Sequence, residues 1–235
     1  MTAVPGYKNV EVIYQGLRVT VYRAVRSADE AAVILKRLER PRDGSSDVTR
    51  FRREYEIARR LDAPGIVRVL DLETTRQGLL LVMSDTGGAS VATLRRIQPL
   101  SSIEALHIGV AVAEALDRIH AGHVIHKDVN PANIVWNRAG GTVQLIDFSI
   151  ATELARETSP SDIEQLEGTL AYIAPEQTGR MNRSLDWRCD FYALGATLYD
   201  LLIGHPPFDG DDALAVIHGH SMRNFPDSDV LRQLS

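Results

Sequence analysis

The stretch His126-Lys127-Asp128-Val129-Asn130-Pro131-Ala132-Asn133, followed fourteen residues after Asn133 by Asp147-Phe148-Ser149, decides how this chain is read. Between the two lie Ile134-Val135-Trp136, the polar run Asn137-Arg138-Ala139-Gly140-Gly141-Thr142, and Val143-Gln144-Leu145-Ile146. Two short apolar runs around a Gly-Gly turn predict a β-hairpin. Closing the hairpin brings its ends together and sets Asn133 beside Asp147, with Asp128 delivered by the loop just before. One carboxylate to handle a hydroxyl proton, plus an amide and a second carboxylate to hold magnesium, is the minimum set for phosphoryl transfer. The plain alternative is a polar loop that happens to precede a hairpin. It leaves the joint match of spacing and residue type unexplained.

Composition narrows the setting. A chain of 235 residues suffices for one large or two-lobed domain with a substantial core. With 44% hydrophobic and 24% charged residues it reads as an ordinary soluble globular protein. A formal net charge of −5 gives no electrostatic case for nucleic acid or an anionic membrane as partner. No apolar run approaches membrane-spanning length, and Met1-Thr2-Ala3-Val4-Pro5 lacks the basic and apolar regions of a signal peptide. Cys189 is the only cysteine, so an intrachain disulfide is excluded and a reducing cytoplasm is expected. Its default role is a small buried apolar residue.

Of the 26 lysines and arginines only three are lysine, Lys8, Lys36 and Lys127, leaving 23 arginines. Where any cation suffices this sequence uses arginine, so each remaining lysine is a candidate for a compact ammonium that a planar guanidinium cannot replace. Lys127 lies within the opening motif. Lys36 ends the apolar run Ala32-Val33-Ile34-Leu35.

Along the chain, Val10 to Ala24 and Ala31 to Leu38 have the β-branched, apolar character of strands. Asp47 to Leu61 is helical in character and is stopped by Asp62-Ala63-Pro64-Gly65; Ile66 to Leu72 and Leu79 to Met83 predict two more strands. After Thr86-Gly87-Gly88 helices dominate. Ser101-Ser102-Ile103-Glu104 fits a capping box opening a helix to about His120, with Gly122 to end it. Asp190 to Ile203 is a second apolar helix, closed by Gly204. Strands first and helices afterwards predict an α+β fold of two lobes.

Phe51, Glu54, Ala58 and Leu61 share one helical face. An acid on an apolar stripe needs a partner, and Lys36 is the obvious one. Such an ion pair would fix the ammonium where it can hold nucleotide phosphates. Pairing of Glu54 with a nearby arginine on the solvated side is the alternative.

With these residues assembled, the chain resembles a eukaryotic-type serine/threonine protein kinase domain from about Tyr7 onward. Val33-Ile34-Leu35-Lys36 is similar to the β3 lysine motif, with Glu54 at the αC glutamate position. His126 to Asn133 resembles the catalytic loop and Asp147-Phe148-Ser149 the magnesium-binding motif. Gly168-Thr169-Leu170-Ala171-Tyr172-Ile173-Ala174-Pro175-Glu176 resembles the end of an activation segment, and Asp190 the acid that braces the catalytic loop. The match covers a β-rich nucleotide-binding N-lobe, residues 7–86, and a helical C-lobe, residues 87–235. Phe51 to Ile57, the catalytic loop and Glu176 to Arg183 are also similar to a narrower bacterial group. There the kinase domain opens large signalling proteins that continue with ATPase-type, GAF and histidine kinase domains, which implies further signalling domains in a longer parent protein.

The resemblance implies ATP and Mg²⁺ as cofactors and a protein substrate. It implies that Asp128 accepts or orients the hydroxyl proton, that Asn133 and Asp147 hold Mg²⁺, and that Lys36, positioned by Glu54, contacts the phosphates. Thr169 would organise the catalytic aspartate and favour serine or threonine acceptors. Gly16, Val21, Val33, Met83 as gatekeeper, and the backbone of Ser84 and Thr86 would line the nucleotide. Thr158, Ser159 and Ser161 are phosphorylatable residues of the activation segment.

Four departures bear on activity. Tyr14-Gln15-Gly16-Leu17-Arg18-Val19-Thr20-Val21 has one glycine where the family usually has three, which predicts a stiffer phosphate loop with Arg18 contributing charge. Asn130 replaces the catalytic-loop lysine. Ser149 replaces the glycine after Asp147-Phe148, where positive φ is less accessible to serine. Lys127 replaces the arginine that reads activation-loop phosphate, and loses its bidentate fork. The C-lobe is expected to be truncated, because a kinase lobe normally continues with more helices beyond the Ala213 to His220 region. His218 and His220 are expected to be solvated, and Trp136 and Trp187 to serve core or subdomain packing. Two other readings stay open: an ATP-binding pseudokinase or scaffold, and a small-molecule phosphotransferase.

Overall fold

Alternation of apolar and polar residues builds the first half into a sheet. The computed structural model describes residues 4–39, 46–76, 78–153, 170–178 and 185–227. Strands β1 (Tyr7–Gln15), β2 (Val19–Arg26) and β3 (Ala32–Leu38) are followed by helix α1 (Ser46–Arg60), β4 (Val69–Thr75) and β5 (Gly78–Ser84). The five strands form one antiparallel sheet in the order β1-β2-β3-β5-β4. The run from Val10 to Ala24 is thus two strands, divided at Gly16-Leu17-Arg18.

The two faces of this sheet have different jobs. Tyr22, Ala24, Val33, Leu35, Leu80 and Val82 form an apolar cluster on one face. On the other, Val21 pairs with Lys36, Ile34 with Met83 and Lys36 with Leu81. Leu81 and Met83 join Phe51, Ile57 and Ala58 of α1 in the main core, against which Ile34 also packs. Glu54 lies on that same buried face of α1.

The strand expected to start at Ile66 begins at Val69 instead. Ile66 makes a single parallel bridge to Leu145; Val67 N–H donates to the Leu145 carbonyl at 2.9 Å and Leu145 N–H to the Gly65 carbonyl at 2.8 Å. This segment therefore fastens the chain entering the sheet to the second half of the molecule, two residues before Asp147.

The second half contains β6 (Ala89–Ser90), α2 (Val91–Ile97), α3 (Ser102–Ala121), β7 (Val124–Ile125), β8 (Ile134–Asn137), β9 (Thr142–Leu145) and β10 (Thr152–Glu153). Two single 3₁₀ turns follow, Leu170–Tyr172 and Pro175–Thr178, then α4 (Arg188–Ile203) and α5 (Ala213–Met222). Helix α3 buries Ala105, Ile108, Val112, Ala115, Leu116 and Ile119 at helical spacing. Burying each of Ile108, Val112, Leu116 and Ile119 contributes about 1.5–3 kcal/mol. Helix α4 ends at Gly204, whose φ of 99° is the left-handed conformation that glycine adopts without strain.

Two side chains lie otherwise than expected. Trp136 is buried, but Trp187 is 45% exposed, with its ring edge-on to Phe191 at 5.6 Å. His220 is buried rather than solvated, because its Nδ1 meets the Tyr192 hydroxyl at 2.8 Å among the rings of Phe208 and Tyr192. That burial lowers its pKa to about 4. Cys189 is fully buried, and its thiol is pushed up by burial, as an inert packing residue requires.

The capping box is formed in full: Glu104 N–H donates to Ser101 Oγ at 3.3 Å, and Ser101 N–H donates to Glu104 Oε2 at 2.8 Å. Ser101→Ala should lower unfolding free energy by about 1 kcal/mol in urea titrations, whereas Ser101→Asp should retain most of it.

Candidate active site

The hairpin of β8 and β9 closes with Ile134 opposite Leu145, and Ile146 N–H donates to the Asn133 carbonyl at 2.9 Å. That register brings Asn133 next to the segment carrying Asp147. Asp147 adopts φ 65° and Lys127 φ 71°, left-handed conformations that cost a non-glycine residue about 1–2 kcal/mol each. Positive φ thus falls on Asp147 and not on Ser149, so serine at the third position of this motif is unstrained by φ. Ser149 N–H in turn donates to Asp147 Oδ1 at 3.1 Å.

Lys36 is the hub. Its Nζ lies 2.7 Å from Glu54 Oε1 and 3.0 Å from Asp147 Oδ1, so β3, α1 and the segment after β9 meet at one ammonium. Lys36 is 8% exposed and Glu54 3%. Burial works against the Lys36 charge, but the Asp147 and Glu54 carboxylates outweigh it and hold its pKa above the ordinary lysine value. Asp147 is drawn down to about 2: burial opposes its charge, and the nearby Lys36 ammonium with the Ser149 hydrogen bonds overcomes that. Glu54 is pushed up to about 7, first by burial and then by the negative charge of Asp147, against the pull of Lys36.

Asp128 is held by two amides. Its Oδ1 accepts from Asn130 Nδ2 at 2.8 Å and its Oδ2 from Asn133 Nδ2 at 2.7 Å; its backbone carbonyl accepts from the same Asn133 nitrogen at 2.9 Å. Asn130 Oδ1 also receives Ala132 N–H at 2.9 Å. Asn130, at the lysine position of the family loop, therefore orients Asp128 rather than bringing a cation. Below it, fully buried Asp190 accepts the backbone N–H groups of His126 at 2.9 Å and Lys127 at 2.7 Å and contacts His120 Nε2 at 2.8 Å.

The oxygen donors of Asn133 and Asp147 suit a hard cation. Asn133 Nδ2 donates to Asp128, and Asp147 Oδ1 accepts from Lys36 Nζ and Ser149 N–H. Among the described residues there is no cluster of three or more His, Cys, Asp or Glu that could enclose a metal. An amide and one ionised carboxylate fit Mg²⁺ that takes its other ligands from phosphate and water.

Residues 7–229 match the family described as the protein kinase domain. The chain belongs to that family. It is 38% identical over 193 residues to a probable serine/threonine-protein kinase of Corynebacterium efficiens, covering 79% of this chain and 29% of that protein. It is 37% identical over 202 residues to the serine/threonine-protein kinase PkaA of Streptomyces coelicolor, covering 84% and 36%. With the serine/threonine-protein kinase PknB of Mycobacterium leprae it shares 36% identity over 203 residues, covering 84% and 32%. The chain thus spans about a third of the length of these relatives.

Within the kinase fold, a β-sheet lobe and a helical lobe, the remaining expected residues separate. Val21 and Met83 share the sheet face of Lys36, directly or through Ile34. Val33 does not: three residues from Lys36 on a strand, it points to the opposite face and is sealed in the cluster with Tyr22 and Leu35. Ile34 holds the cleft-facing position. Ser84 N–H donates to the Arg68 carbonyl at 3.0 Å, and the Thr86 carbonyl accepts from Asn137 Nδ2 at 2.6 Å. The Thr86 N–H has no partner among the described residues and stays open as a donor. Gly16 is a seat for Tyr14, since a Cβ there would stand 2.9 Å from the Tyr14 hydroxyl; Tyr14 is 60% exposed. Arg18 pairs with Asp47 of α1 at 2.6 Å, which spends its charge there. Thr169, Thr158, Ser159 and Ser161 lie outside the described residues.

Two further groups support the site without a sequence signal that named them. Arg23 Nε pairs with Asp85 Oδ2 at 2.7 Å, and its Nη2 donates to the Gly88 carbonyl at 2.6 Å, bracing the connection after β5. Gln177, beside the recognised Glu176, donates to the Lys127 carbonyl at 2.9 Å.

The shifted carboxyl gives a pH signature. Unfolded Glu54 loses its proton near 4.5, while the folded protein keeps it until about pH 7, so the folded state binds the extra proton in that window. Stability from this group therefore falls as pH rises from about 4.5 to 7. Asp147 contributes stability above the ordinary aspartate pKa and loses it only as pH falls toward 2. In denaturant titrations of the ligand-free protein, the stability of wild type relative to Glu54→Gln should decline across the 4.5–7 window and level off above it. A difference independent of pH contradicts the assignment.

Proposed function

We propose that this chain is a Mg²⁺- and ATP-dependent protein kinase that transfers the γ-phosphate to serine or threonine hydroxyls of a protein in signal transduction. The observation that carries it is the joining of two sets of side chains, Lys36 with Glu54 and Asp147, and Asp128 with the amides of Asn130 and Asn133, through the Ile146 N–H bond to the Asn133 carbonyl. Names given to relatives at 36–38% identity support serine and threonine as acceptors.

Residues 7–86 form the nucleotide-binding lobe in this reading and 87–235 the lobe for catalysis and substrate. Val21, Ile34 and Met83 receive the adenine, and the Thr86 N–H donates to its edge. Lys36 orients the α- and β-phosphates, with Glu54 fixing the ammonium. Asn133 Oδ1 and Asp147 Oδ2 hold Mg²⁺, which when bound neutralises and bridges phosphate oxygens. Asp128 accepts the substrate hydroxyl proton at its carboxylate, which the amides of Asn130 and Asn133 hold in place. Thr169 assists Asp128 and biases the acceptor toward serine and threonine. We infer a cytoplasmic signalling role alongside ATPase-type, GAF and histidine kinase modules, on the motif resemblance of Phe51 to Ile57, the catalytic loop and Glu176 to Arg183. No helix among the described residues is long and apolar enough to cross a membrane.

One observation favours a second reading, a nucleotide-binding scaffold. Tyr14 rests on the single loop glycine, where other kinases present bare backbone to phosphate.

Purified chain with labelled ATP, Mg²⁺ and a generic protein substrate should transfer phosphate. Asp128→Asn should reduce kcat by about 10²–10⁴-fold with ATP affinity little changed, whereas Asp147→Asn should weaken Mg²⁺-dependent ATP binding itself. Equal turnover by wild type and Asp128→Asn defeats the kinase reading. Stabilisation by ATP with no turnover moves the conclusion to the scaffold.

A further inference from the structure

The peptide link between Lys127 and Asp128 is pinned at both of its polar ends. Its N–H, on Asp128, donates to His126 Nδ1 at 3.3 Å. Its carbonyl, on Lys127, accepts from Gln177 Nε2 at 2.9 Å. The other end of the same Gln177 amide, Oε1, accepts Ala174 N–H at 3.1 Å. Gln177 is 3% exposed, in the 3₁₀ turn Pro175–Thr178. One residue earlier, Asp190 takes the N–H groups of His126 and Lys127. Lys127 is thus gripped from both sides while it holds the left-handed φ of 71°.

Rotation of that peptide plane swings the Asp128 side chain that hangs from it, because the plane fixes the direction of the Asp128 N–Cα bond. Asp190 restrains the plane before Lys127 and leaves the next one to Gln177 and His126. We propose that Gln177 is a positioning residue: through the Lys127 carbonyl it sets the orientation of Asp128, and it ties the 3₁₀ turn Pro175–Thr178 to the proton-accepting group. This inference rests on the phosphotransfer reading of the site.

The role needs one donor and one acceptor at once, which only an amide or a protonated acid of this length supplies. Methionine keeps the shape and loses both bonds. Ionised glutamate keeps the acceptor for Ala174 N–H but sets a negative oxygen against the Lys127 carbonyl. Protonated glutamate restores an O–H donor to that carbonyl, and burial raises the pH at which this form persists.

The test compares wild type, Gln177→Glu and Gln177→Met, measuring kcat and KM for ATP between about pH 6 and about pH 8.5. Amide hydrogen exchange over residues 126–128 is followed in parallel. At the alkaline end both variants should lose about tenfold or more in kcat, with KM for ATP within about twofold of wild type, since Lys36 and Asp147 are untouched. As pH falls, kcat of Gln177→Glu relative to wild type should climb while that of Gln177→Met stays flat, and Gln177→Met should exchange faster at residues 126–128. The proposal is overturned if either variant keeps kcat near wild type at alkaline pH, if the two variants share one pH slope, or if exchange is unchanged. A wild type that transfers no phosphate refutes the kinase reading instead, and exchange alone then decides whether Gln177 clamps the loop.

Discussion

One ammonium facing two carboxylates is the interaction on which the rest of this structure depends. Lys36 comes from the sheet, Glu54 from α1 and Asp147 from the segment after β9, and the three meet within 3.0 Å contacts. Breaking a buried pair by deleting one partner costs about 3–5 kcal/mol, because a charge is left without compensation. The triad therefore ties three elements distant in sequence to one another. Its charge is uneven, and burial with the nearby charge of Asp147 pushes Glu54 toward neutrality. A divalent cation with a polyphosphate is the ligand that such a site satisfies.

A second support lies beneath the cleft. Asp190, at the head of α4, is wholly buried, and accepts backbone N–H groups from the loop that carries Asp128. Residues 65–67 bind the end of β9 through Leu145. The first support places the nucleotide-side groups and the second the hydroxyl-side group. The strained backbone at Lys127 and Asp147 sits where the two meet, and the surrounding hydrogen bonds hold it.

Much of this was legible in the residues, for physical reasons. The β8–β9 hairpin was readable from two apolar runs around Gly140-Gly141, and α3 from Ser101 and Glu104, because local chemistry alone dictates both. The Lys36–Glu54 pair was readable because lysine is scarce here and an acid on an apolar stripe demands a partner. At Val33 the motif and the strand period part, since alternation along β3 puts Ile34, not Val33, on the face of Lys36. Ile66 looked like a strand, yet Gly65 and Ile66 are used as a bridge to Leu145, a contact that no local pattern encodes. Gln177 gave no signal, since its partner is a backbone carbonyl fifty residues away. His220 was misread for a related reason: its burial is set by Tyr192 and Phe208, which come from other parts of the chain.

The account stands on a single cleft that gathers Lys36, Asp128, Asn133 and Asp147 around one metal-bound triphosphate. A crystal structure of the chain with Mg²⁺ and a non-hydrolysable ATP analogue tests this most directly. It should find the metal at about 2.1 Å from oxygens of Asn133 and Asp147, with Lys36 against the phosphates and Asp128 facing the terminal one. Nucleotide bound elsewhere, or a metal held without either residue, contradicts the account.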